Sequence, residues 1–88
     1  MDLRTETPID VEKPAPGSGL KIALFVAQRP DGSWEWATPN WEPLPPFDGS
    51  GFWFLYPGGA NSGICATREL AEAEGRANRR RSLDHVAA

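Results

Sequence analysis

Proline placement constrains this chain more than any other feature, because proline cannot donate to a β-ladder and breaks a helix interior. Pro8, Pro14 and Pro16, together with Gly17 and Gly19, fall in the first 19 residues, a stretch without apolar periodicity. Such a segment buries too little surface to offset its ordering entropy, so it reads as a flexible tail. Pro39, Pro43, Pro45 and Pro46 fall between residues 39 and 51. That stretch predicts a long irregular connection, partly polyproline-like, pinned to its surroundings by Trp41 and Phe47. Regular structure is expected between and after these two segments.

From Leu20 the pattern has a period of two. Leu20, Ile22, Leu24 and Val26 alternate with Lys21, Ala23, Phe25 and Ala27, which predicts a strand with one face more buried than the other. Arg29-Pro30-Asp31-Gly32 supplies a turn: Pro30 presets one φ, and Gly32 tolerates a positive one. The alternation resumes from Ser33 to Thr38 with Trp34, Trp36 and Thr38 on one side, completing a β-hairpin. Phe52 to Tyr56 predicts a third strand, apolar on both faces and broken by Pro57-Gly58-Gly59, and Ile64 to Ala66 a very short fourth.

The C-terminal part predicts a helix. Thr67 is placed to cap its N-terminus, Glu69, Glu72 and Glu74 lie near the positive end of its dipole, and Arg76, Arg79, Arg80 and Arg81 near the negative end. Glu72 and Arg76 have the favourable i,i+4 order. Leu70, Ala73 and Ala77 form the expected inward stripe, and Gly75 weakens the helix by about 1 kcal/mol relative to alanine. The fold class expected is α+β: a small antiparallel sheet of three to four strands packed by one C-terminal helix, with a disordered N-terminal tail. The boundaries are a tail over 1–19, one domain over 20–82 and a frayed end over 83–88.

Composition narrows the function. With 9 Lys+Arg against 12 Asp+Glu the formal charge is −3, and the 40% apolar content is ordinary for a globular domain. No apolar run is long enough to span a membrane, and the first residues lack a basic-then-apolar leader pattern, so no membrane partner is expected. The single cysteine, Cys65, fits a reducing, cytoplasmic compartment. Cys65 and His85 are the only good soft ligands, which argues against a structural zinc site; no metal or other cofactor is expected.

Chemistry-bearing constellations are thin. Cys65 has one conceivable base, His85, in the expected frayed end, and reads better as a small buried apolar residue. The carboxylate pairs Glu35 with Glu42 and Asp31 with Asp48 match what any acidic surface carries. Gly58 and Gly63 have the separation of phosphate-loop glycines, but Ile64-Cys65 stands where Lys-Ser/Thr is required. Pro43-Leu44-Pro45-Pro46 has PxxP spacing without a flanking basic residue and reads as a rigid loop. An enzyme is not expected.

Aromatic surface is the positive signal. Seventeen large apolar side chains lie between Leu20 and Leu70, and of these only Leu70 is in the helix. One alanine-lined helix covers one face of a sheet, so the other face must be covered by the proline-rich connection, by a second copy in a homodimer, or by another protein. Trp34, Trp36, Trp41, Phe52, Trp53 and Tyr56 are the candidate partner-binding residues, since tryptophan and tyrosine dominate interface energetics. The alternative is a single-stranded nucleic-acid binder that stacks bases on these rings and places Arg76, Arg79, Arg80 and Arg81 on phosphates. Residues 1–67 carry four bases and eight acids, a poor footprint for a phosphate backbone.

The hairpin, the Phe52–Tyr56 strand and the run Ala66-Thr67-Arg68-Glu69-Leu70-Ala71-Glu72-Ala73 together resemble small HicB-type antitoxin domains and related short phage or plasmid proteins. The resemblance is one of topology over residues 20–82, and it carries over no functional residue. It implies a small non-catalytic binder from a phage or mobile element, an inhibitor or regulator of a larger host assembly such as a defence system.

Overall fold

The structure is a computed structural model that describes residues 1–13 and 20–87, with side chains as far as His85. An antiparallel sheet of six strands packs against one helix. The elements are β1 (Asp10–Glu12), β2 (Ile22–Gln28), β3 (Trp34–Ala37), β4 (Asn40–Pro43), β5 (Gly51–Phe54), β6 (Ser62–Cys65) and α1 (Arg68–Ala87). The α+β class expected from sequence is the class found, and β2, β3, β5 and β6 are the four expected strands.

β2 organises the sheet. The Arg29–Ser33 turn, with Gly32 at a φ of 89° and the Asp31 carboxylate accepting from the Ser33 amide, folds β3 back along it. Phe25 lies opposite Ala37 and Ile22 opposite Asn40, so β3 and β4 keep one register against β2 and act as a single bent strand. The outer partner changes at the bend: β6 pairs with β3, and β5 pairs with β4.

Two strands lie where none was expected. β4 runs through the proline-rich segment because the prolines bracket it. Pro39 offers its carbonyl to the Ala23 amide, and Pro43 comes last in the strand, so the ladder between them stays intact. β1 lies in the segment read as a tail. Asp10, Val11 and Glu12 pair with Leu24, Ala23 and Ile22, and the Ile9 amide donates to the Leu24 carbonyl. Leu3, also in the expected tail, packs against the core, and residues 14–19 lie outside the described residues.

The anchor for β1 comes from the helix. Arg79 is only 3% exposed, and its guanidinium pairs with Asp10 and, at 3.0 Å, with Glu12. Periodicity in the first residues misses this strand because ion pairs, rather than apolar burial, hold it. The hydrogen bond from Arg79 is the main reason the Asp10 carboxyl is held below the usual carboxylate range. A depressed folded pKa means that the stabilisation is present above the unfolded value and is lost as pH falls through the folded one. Acidification is therefore expected to release β1 first, read as lost hydrogen-exchange protection of the Ile9 amide before that of β2–β3 amides. Asp10→Asn should remove that acid sensitivity at a cost of about 1–2 kcal/mol. This is less than the loss of one partner from a fully buried pair, because the Asp10 side chain is 41% exposed.

α1 starts as expected: Thr67 Oγ1 accepts from the Leu70 amide at 3.2 Å, and Arg76 meets Glu72 at 3.2 Å. Its inward stripe differs. Leu70, Ala73 and Ala77 are exposed, and Ala71, Gly75, Asn78, Arg79 and Leu83 face the sheet. Leu70 sits one position from the true stripe, a rotation of about 100°. The sheet supplies the bulk through Leu24 and Trp36, and the small helix residues receive it. Leu83, in the end expected to fray, is buried, and the helix continues to Ala87. Ala88 lies outside the described residues.

Candidate functional site

The two faces of the sheet carry different clusters. On the helix side, Leu24, Trp36, Cys65 and Ala71 form the core, with Val26 and Trp34 packed against it. On the opposite side, Ala23, Phe25 and Ala37 are covered by Leu3, Trp53 and Leu55. The second face is thus partly shielded from within the chain, by the first residues and by β5 with the residue that follows it.

This arrangement divides the six candidate aromatics. Trp36 leaves the set of surface residues: it is buried, its indole lies over Gly63, and its Nε1 donates to Glu74 at 3.0 Å. Trp34 is half-buried beneath the Arg68 guanidinium, 5.9 Å from the ring centre. Trp41 and Trp53 meet edge to face at 5.1 Å, Trp53 meets Phe25 at 6.0 Å, and the Lys21 ammonium sits 4.7 Å over Trp41. Trp41 thereby pins its segment as expected, whereas Phe47 turns outward.

Phe52 and Tyr56 belong to the other face. Phe54 lies opposite Asn40 and Phe52 opposite Glu42, which places these rings on the side that α1 also occupies. Phe52, Phe54 and Tyr56 form a ladder of edge-to-face contacts at 6.4 and 4.9 Å. Phe52 remains 43% exposed and Tyr56 51%. At the tip of the β4–β5 arm Phe47 is 68% exposed and adopts a φ of 63°, a left-handed conformation that costs a side-chain-bearing residue about 1–2 kcal/mol. Leu44, Phe47, Phe52 and Tyr56 are four of the nine exposed large apolar side chains among the described residues, so exposed apolar surface concentrates on this arm. The sequence indicated Phe52 and Tyr56. Phe54 shares their face by alternation but was not singled out, and Phe47 lies in the irregular tip between β4 and β5, where no periodicity says whether a ring packs or projects.

The arginines read as a phosphate footprint are largely committed elsewhere. Arg79 is buried against Asp10 and Glu12, Arg76 bonds Glu72 and Asp10, and Arg80 lies 3.2 Å from Asp84. Arg81 donates to the neutral Asn78 Oδ1 at 3.2 Å. Asn78 is itself buried and donates to Thr38 Oγ1 and Asn61 Oδ1, each at 2.9 Å, tying α1 to the bend after β3 and to the start of β6. Beside this network opens a cleft of about 330 Å³ between the end of α1 and the β4–β5 arm.

Cys65 is buried and donates to the Glu74 carboxylate, which together with burial raises its pKa. That suppresses the thiolate and with it nucleophilic reactivity. Among the described residues no three metal-ligating side chains converge, and no helix is long and apolar enough to cross a membrane. No known protein family, curated protein or solved structure matches the chain.

Proposed function

We propose that this protein is a non-enzymatic interaction module that binds a protein partner through the face formed by Phe52, Phe54 and Tyr56, with Phe47 at its rim. The supporting observation is the ring ladder that runs from the edge strand β5 to Tyr56 just beyond it, with Phe52 and Tyr56 exposed, so that rings and the open backbone groups of a sheet edge are presented together. Inhibition of a larger assembly, as the sequence resemblance implied, fits this mode, because a small rigid domain docked through one face occludes whatever it covers. The nucleic-acid reading is the weaker one. Three of its four arginines are paired with carboxylates, which removes most of the charge that would meet phosphate.

The test replaces Phe52 by serine. The variant is expected to keep the wild-type melting temperature within a few degrees, since the ring is exposed on an edge strand. Its affinity for the partner should fall about 30-fold or more, the effect of removing a central aromatic anchor. Affinity is read by calorimetry with the purified partner, and sedimentation at rising concentration distinguishes a second copy from a different protein. A folded Phe52→Ser that binds as well as the wild type removes the ladder from the interface.

A further inference from the structure

The cleft beside Tyr56 has a chemistry that the chain as a whole does not. The protein carries a net charge of −3. Yet among the described residues no acidic side chain lines the cleft, whose ionisable residues besides Tyr56 are Arg81 and His85. Ile22 supplies an apolar wall, and Asn40 and Asn61 supply amides. Arg76, Arg79 and Arg80 each meet a carboxylate. Among the described residues Arg81 meets none, and its guanidinium is oriented by the neutral, buried Asn78. A positive charge held in place by a neutral acceptor keeps its attraction for an incoming anion. The volume lies at the small end for ligand pockets, about 300–1,000 Å³.

We propose that this cleft binds a carboxylate carried on an apolar body, supplied by the C-terminal residue of a partner polypeptide. The Arg81 fork takes the carboxylate, Ile22 and the Tyr56 ring take the last side chain, and the amides of Asn40 and Asn61 take the final peptide group. Tyr56 belongs to both the ladder and the cleft, so a segment lying along Phe52, Phe54 and Tyr56 ends at Arg81. The inference rests on the ladder being a binding face and adds what its occupant must carry at one end.

The experiment titrates the full chain with a hexapeptide ending in phenylalanine, with the same peptide amidated at its C-terminus, and with 3-phenylpropionate. Binding is followed by calorimetry and by backbone amide NMR shifts. The free acid is expected to shift the amides of Asn61, Ser82 and His85 and to bind at least about tenfold more tightly than the amidated peptide. Arg81→Gln should bring the free acid down to the amide's level, and Arg81→Lys should restore part of the difference. Equal affinity for acid and amide, shifts confined to other regions, or no binding of the acid each overturns the proposal. So does 3-phenylpropionate binding as tightly as the peptide, which would reassign the cleft to free small carboxylates. If Arg81→Gln does not fold, the acid–amide comparison on the wild-type protein decides alone. A partner that is lost with Phe52→Ser but kept with Arg81→Gln leaves the ladder reading standing and removes this one.

Discussion

Trp36→Ala is expected to abolish the cooperative folding of this chain, with a loss of about 3–5 kcal/mol. The indole is 6% exposed and joins Leu24, Cys65 and Ala71 in the helix-side core. Its removal opens a cavity between β3, β6 and α1 and takes from Glu74 one of its two hydrogen-bond donors. Small domains hold about 0.05–0.15 kcal/mol of stability per residue, so a loss of this size consumes much or all of the total. Urea denaturation followed by circular dichroism is the measurement. A wild-type midpoint in Trp36→Ala would show that the ring is not part of the core and would return it to the set of surface candidates. The contrast with Phe52→Ser is the informative comparison: one aromatic substitution is expected to cost the fold, the other, on the proposed reading, only the partner.

Gly75→Ala should destabilise the protein although alanine is the better helix former. The propensity gain is about 1 kcal/mol. A methyl group at Gly75 runs into the Leu24 Cδ1 atom and comes within 3.4 Å of Trp36 Cβ. Leu24 is fully buried, so its side chain has no solvent-side space to move into. Overpacking of this kind costs about 1–3 kcal/mol, which leaves a net loss of up to about 2 kcal/mol once the propensity gain is subtracted. Chemical denaturation of Gly75→Ala, Leu24→Val and the double variant checks the cause. Valine lacks the clashing atom, so the double variant should lose less than the two single losses combined. Strict additivity would place the origin elsewhere.

What could be read from the sequence follows from where each signal was local. The β2–β3 hairpin is legible because alternation and the Pro30–Gly32 turn agree, and the Thr67 cap because its donor lies three residues on. The phase of α1 is hidden, since its buried stripe of Ala71, Gly75, Asn78, Arg79 and Leu83 is mostly polar or small, and apolar periodicity locks onto Leu70 instead. β1 is hidden for a related reason: Arg79 lies 67 positions from Glu12, and no local pattern announces an ion pair across that separation. For the candidate site, the surplus of aromatic rings was visible, but their distribution was not. Which rings are core depends on where the bent β3–β4 strand changes its outer partner, a choice made by tertiary pairing.

That bend separates two halves of the sheet. Past Pro39, β4 and β5 extend as a hairpin that touches the main body chiefly through Ala23, Lys21 and the Phe25–Trp53 contact. Because residues on a strand alternate between faces, the hairpin can be lengthened on both legs by two residues with every ring keeping its side, whereas a one-residue change would turn Phe52 and Tyr56 to the reverse side. If the arm is the binding face proposed above, its contact surface can be redrawn in even steps, in nature or by grafting, while the helix-backed half carries the burden of staying folded.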